Sequence, residues 1–165
     1  MFNFSDGFYS LKGSDGQVSL YENNVGNYNN FYGDTKGWSF SFISNENPTY
    51  TKIFDTIDLR TDHYWTYETT GLLNTCPMNY IKVENEYQKA EATIDSRNMR
   101  KKFRVWRGNI PRSSDTSHGP RGRFARSRIR NPWAMITLGW EPEGIQPGDK
   151  TKKMVLHDVS VHYTV

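Results

Sequence analysis

The side chains able to carry acid, base, nucleophilic or metal chemistry are few in this chain, and their spacing works against each use. Four histidines, His63, His118, His157 and His162, together with Asp158, are the candidates for a metal. His157 and His162 are five positions apart, an odd number, so a regular strand sends them to opposite faces. Ser113, Ser114, Asp115 and His118 include the types of a nucleophilic triad but crowd into one polar stretch. A triad needs its base and its oxyanion donors fixed by separate rigid elements. Glu84 and Glu86 share one strand face, as a glycosidase pair could, but a solvated polar face opposite Ile81 and Val83 accounts for them better. Gly119-Pro120-Arg121-Gly122 lacks the lysine and helix start of a phosphate-cradling loop. No catalytic residue, no metal and no cofactor is expected from these spacings.

Charge is the stronger signal. The chain of 165 residues has a net charge of +3, but from Arg97 to Arg130 ten Arg and two Lys face one acid, Asp115, a net of +11. The remainder, with nine basic and 17 acidic residues, carries −8. Within the basic segment Lys101-Lys102-Phe103-Arg104-Val105-Trp106-Arg107 interleaves rings with cations. Such a pattern suits nucleic acid, and it suits guanidinium–carboxylate pairs at a protein interface equally. Protein is the favoured partner, with Arg104, Trp106, Arg107, Arg128, Arg130 and Trp133 expected as the core of an interface or intramolecular clamp. Nucleic acid is kept as the alternative.

The elements that must position these groups read as strands. Trp38, Phe40 and Phe42 alternate with serines, and Ile53, Ile57 and Leu59 are assigned one face of residues 52–60. Ile81, Val83 and Tyr87 alternate with Lys82, Glu84 and Glu86. Phe103 and Val105 alternate with Arg104 and Trp106, and Ala134, Ile136 and Leu138 with Met135 and Thr137. Val155, His157, Val159, Val161, Tyr163 and Val165 keep strict period two. Turn chemistry at 14–16, 45–48, 74–77 and 141–148 separates them at sandwich-like spacing. The expected fold is all-β, an antiparallel β-sandwich or barrel-like domain with little helix, a short one being allowed only within 85–99. Residues 1–32, rich in Asn, Gly and Tyr, read as an arm or hairpins. Residues 33–165 read as a single β domain including a long basic loop, 112–126.

Leu, Ile, Val and Phe make up 33 of the 165 residues, a thin aliphatic core, while the aromatic share is 15% at a mean hydropathy of −0.80. Rings in excess of a small core suit a component that meets other chains. Cys76 is the single cysteine and excludes an internal disulfide framework. No stretch approaches the apolar length of a membrane span, and the expectation is a chain without signal peptide or membrane anchor.

Several segments resemble a known family. Tyr28-Asn29-Asn30-Phe31-Tyr32-Gly33, Phe42-Ile43-Ser44-Asn45-Glu46-Asn47-Pro48 and Lys52-Ile53-Phe54-Asp55-Thr56-Ile57 follow one another as in the carboxy-terminal part of the tail stabilisation, or muzzle, proteins of crAss-like bacteriophages. The run Phe103 to Arg112, FRVWRGNIPR, followed by Arg128-Ile129-Arg130-Asn131-Pro132-Trp133, is the most specific part. Lys153-Met154-Val155-Leu156-His157-Asp158 resembles the family's final strand. The resemblance implies a non-enzymatic structural component of a phage virion, in a distal tail assembly like a nozzle, made in the bacterial host cytoplasm. Its implied partners are a homo-oligomeric ring and neighbouring phage tail proteins, including the rest of a longer muzzle polypeptide. A carbohydrate-binding β-sandwich and a single-strand nucleic-acid-binding domain are the rival readings.

Overall fold

A computed structural model describes residues 2–4, 7–14, 17–23, 29–32, 34–64, 76, 78–94, 98–114, 126–141 and 153–165. Among them the regular elements are all strands. Near the start, β1 (Phe2–Phe4), β2 (Gly7–Ser14) and β3 (Gln17–Asn23) form a three-stranded antiparallel sheet, and β4 (Asn30–Phe31) pairs with β5 (Asp34–Thr35). Tyr32 links the two, its hydroxyl donating to the Leu11 carbonyl at 3.3 Å while Lys12 Nζ lies 5.6 Å from its ring centroid.

Two larger antiparallel sheets hold the core. One runs β6 (Trp38–Ser44), β13 (Ala134–Trp140), β8 (Tyr80–Glu84), β9 (Lys89–Thr93) in that spatial order. The other is built on β7 (Lys52–Tyr64). The strand β14 (Lys153–Thr164) pairs along one edge of β7, while β11 (Val105–Asn109) and β12 (Arg130–Asn131) pair elsewhere along it, and β10 (Met99–Lys102) extends the sheet beyond β11. Ile57, Leu59 and Trp106 from this sheet join Ile81, Val83, Ile136 and Leu138 from the first in one buried cluster. The sheets pack without closing into a barrel, so of the two expected forms the sandwich is the one adopted.

Alternation produces β6, β13 and the Ile81-to-Glu84 part of β8 as expected. Trp38, Phe40 and Phe42 point to one side of β6 with successive rings stacked at 6.4 and 6.2 Å, while Ser41 Oγ pairs with Thr137 Oγ1 at 2.7 Å on the other face. Elsewhere the phase differs from the simple reading. On β7, Phe54 is buried and Ile53 is not, although Ile57 and Leu59 are. The cause is a bulge: opposite β14, His162 pairs with Thr56 and Tyr163 with Phe54, leaving Asp55 as an extra residue that turns the phase over. A second shift leaves His157 extra on β14, so Leu156, not Val155, joins Val159, Val161 and Tyr163 against the core. Strict period two therefore fails at His157, and the odd-spacing argument about His157 and His162 fails with it.

Three more expectations are corrected. The strand at 80–84 stops at Glu84, because Asn85 Oδ1 accepts from the amides of Tyr87 and Gln88, each at 2.9 Å, and turns the chain. Tyr87 is therefore exposed and does not continue a buried face. The short helix allowed within 85–99 is replaced by β9, whose register with β8 pairs Glu84 with Lys89; residues 95–97 lie outside the described residues. Phe103 and Arg104 do not belong to a strand with Val105. They are the two-residue turn between β10 and β11, with φ of 50° and 67°, closed by the Lys102–Val105 pair.

A buried lysine marks the corner where β7, β12 and β14 meet. Lys52 is directly opposite Asn131, its Nζ donates to the Pro132 carbonyl, and the same nitrogen lies 5.3 Å from the Tyr163 ring centroid. Tyr163 in turn donates to Glu46 Oε2 at 3.3 Å and contacts Phe54 at 6.2 Å. The ammonium is thus paired with a carbonyl and a ring face, which is how a cation is tolerated away from water.

Candidate functional site

The six residues expected to act together fall into several different environments. Arg107 is on β11 directly opposite Asp58 on β7. Its Nε donates to Asp58 Oδ1 at 2.7 Å and its Nη2 to Oδ2 at 2.5 Å, a two-pronged fit of guanidinium to carboxylate. From the other edge of β7, His162 Nε2 on β14 lies 3.2 Å from Asp58 Oδ2. One carboxylate thereby ties three strands together. Arg107 hydrogen bonding, opposed by desolvation and helped by His162, holds the Asp58 carboxyl below its ordinary range; Arg107 is pushed up by the same bonds.

Arg128 uses a second acid of β7. Its Nη1 lies 2.6 Å from Asp55 Oδ1, and Thr164 Oγ1 donates to Asp55 Oδ2 at 3.3 Å. Asp55 is the bulge residue, and the bulge is what aims its carboxylate outward to meet Arg128. Buried Gln88 holds the backbone of the same segment: its Nε2 donates to Ser127 Oγ at 2.7 Å and to the Arg128 carbonyl at 3.0 Å, and its Oε1 accepts from the Arg130 amide at 2.7 Å. Arg130 is exposed and is held through its backbone.

The basic stretch 112–126 begins and ends at a clasp. Ser113 N donates to the Ser127 carbonyl at 2.9 Å, Arg126 N to the Ser113 carbonyl at 3.0 Å, and Ser114 N to the Lys89 carbonyl at 2.8 Å. Ser113, a triad candidate by type, closes this stem through its backbone, and Ser114 is tied to β9 by its amide and by its Oγ, which donates to the Lys89 carbonyl at 3.1 Å. Asp115 and His118 lie outside the described residues.

Trp106 is a core residue, 2% exposed, with Lys101 Nζ 5.6 Å from its ring centroid. The pairing of β11 with β7 sends Trp106 and Leu59 to the core side and Arg107 and Asp58 to the other. Arg104 is exposed at the hairpin turn. Trp133, half-buried just before β13, forms the wall of an open groove of about 500 Å³ with Ile43, Tyr87 and Met135. Arg107 and Arg128 are therefore brought onto one outer face, and Arg104 and Trp133 stand at two other places. The sequence marks Asp55, Asp58 and Gln88 for no such role and His162 only as a metal candidate; the sole sequence signal for the two acids is the negative balance outside the basic segment.

Electrostatically this face clamps strands and presents cations. The guanidinium side chains of Arg107 and Arg128 are 63% and 52% exposed. Pairs so open to water stabilise a fold only weakly, and they leave their charge available to a partner.

Residues 26–113 match the family model described as the Crassvirus muzzle protein C-terminal domain. Over 168 aligned residues the chain is also 33% identical to a muzzle protein of Bacteroides phage crAss001, an alignment that takes in 99% of this chain and 11% of that protein. The chain spans a small part of the relative's length.

Proposed function

The chain belongs to the Crassvirus muzzle protein C-terminal domain family, and from that premise we propose that it is a non-enzymatic structural component of the phage virion, built into the distal tail as part of a muzzle or nozzle-like assembly. Its partners in this reading are further copies arranged in a ring, neighbouring tail proteins and the rest of a longer muzzle polypeptide. The supporting observation is how the basic segment is satisfied. Arg107 and Arg128 meet Asp58 and Asp55 within one sheet, so protein carboxylates answer these guanidinium groups. Elsewhere on the molecule Ile43, Tyr87 and Phe103 stay exposed, apolar surface of the kind that assembly covers. Electron microscopy of intact particles decorated with an antibody against this chain tests the reading, with label expected at the far end of the tail. Particles that lack the chain, or carry the label on the capsid, would refute it.

A further inference from the structure

The hairpin turn at Phe103 and Arg104 is built against local preference. Both residues have positive φ, 50° and 67°, where a side chain's Cβ crowds the backbone and where Asn and Gly are the usual choice for a two-residue turn. In place of them stand a phenylalanine 88% exposed and an arginine. Lys102 Nζ lies 5.6 Å from the Phe103 ring centroid, and Arg100, Lys101 and Arg104 are exposed around it. The result is a ring raised on a cationic tip.

A receiving surface is present on the other large sheet. There the open groove of about 500 Å³ is walled by Ile43, Tyr87, Trp133 and Met135, with Glu84 and Glu86 on its border. Ile43 and Tyr87 are each 62% exposed. Glu84 pairs with Lys82 at 2.6 Å, and Lys89 also borders the groove, so Glu86 is the carboxylate most open to an incoming cation. No residue of the tip lines this groove.

We propose that the Phe103 tip of one copy docks in the Trp133 groove of a second copy, with Phe103 covering the apolar walls and Arg104 reaching Glu86. A second copy is the occupant because a single chain carries both halves of the fit, on different sheets. A +11 segment beside a −8 remainder also makes copies attractive to one another when the segment of one meets the body of the next. The contact is head to tail, and repeated it generates a ring or a filament. It thus gives the ring of the proposed function a specific joint, and it rests on that reading for the gathering of copies.

The test mixes two isotopic forms of the chain, one carrying a photo-crosslinking phenylalanine analogue at position 103. Cross-links are expected from that position of one form to the segments 84–89 or 131–136 of the other. In sedimentation velocity, Phe103→Asn should fold and melt at or above the parent temperature, because Asn tolerates positive φ, yet self-associate about tenfold or more weakly. Trp133→Ala and Glu86→Lys should weaken association in the same way. A parent monomeric throughout the accessible concentration range, a Phe103→Asn variant that associates as the parent does, or cross-links confined to one isotopic form with none between the two forms would each overturn the proposal. So would cross-linking to a single-stranded oligonucleotide in preference to the second copy. Antibody labelling of the particle tests the structural reading separately: label at the tail with no cross-link between copies overturns the docking alone.

Discussion

Replacing Trp106 separates a core role from an interface role. The indole is 2% exposed and belongs to the same buried cluster as Leu59, Ile57 and Ile136. Cutting a fully buried Trp to Ala removes the transfer energy of the ring and leaves a cavity, costing about 3 to 5 kcal/mol. Domains of this class have roughly 5 to 15 kcal/mol in all, so Trp106→Ala should consume a large part of it. At about 2 to 4 °C per kcal/mol for this length, the melting temperature should fall by roughly 6 to 20 °C. Trp106→Phe keeps an aromatic ring and should cost about 1 to 2 kcal/mol. Urea midpoints of the two variants and the parent, measured beside their sedimentation profiles, give both readouts. Arg107→Ala, removing a side chain 63% exposed, should move the midpoint far less. A Trp106→Ala chain that unfolds at the parent midpoint and fails only to associate would refute the core assignment and with it the register that buries this ring.

Gln88→Ala removes one side chain that makes three hydrogen bonds to residues 127–130 and should cost about 2 to 4 kcal/mol, with faster amide exchange at Arg130; unchanged exchange there would contradict the bonding. Gly139→Ala would place a Cβ 2.5 Å from the Tyr80 ring and 2.6 Å from the Trp38 carbonyl, so the sheet should lose about 1 to 3 kcal/mol, and a variant melting with the parent would disprove that close approach. Asp58 sets a pH dependence of definite sign. Arg107 hydrogen bonding lowers its folded pKa below the unfolded value of about 3.9, so its contribution is present above that pH and is lost as pH falls through the folded pKa. Asp58→Asn should therefore flatten the loss of stability below about pH 4, as read from urea midpoints across pH; identical acid slopes for variant and parent would argue against the pairing.

The strands that could be read directly are those whose alternation runs unbroken between two partners. Val83 and Ile136 face each other across β8 and β13, and Phe42 faces Ile136 from β6, so in this sheet period two and burial agree. On β7 both phases are written in the chain, since Ile53 and Phe54 are equally apolar. The choice between them is made by the bulge at Asp55, which arises from pairing with a strand more than a hundred residues later, and no local pattern contains it. The same applies to His157. At Phe103 the misreading had another source: the turn lacks the Asn-Gly signal, and Arg100 to Arg107 alternates well enough to pass for one strand.

The site was legible as charge and illegible as pairing. A +11 segment against a −8 remainder calls for carboxylates, carbonyls, rings or phosphate, but that Arg107 meets Asp58 follows from the register of β11 on β7, two strands 49 residues apart at this pair. Register also divides the basic segment by task. Where the segment lies against β7, its arginines are drawn to Asp55 and Asp58 and tie β11, the Arg128 segment and β14 to one strand. Where it leaves β7, at the turn beyond β10, no acid of β7 lies opposite it in the register, and the cations and Phe103 stand exposed in a backbone shape that local preference opposes. The first part links strands of one sheet, and the second carries the docking proposed for a neighbouring copy.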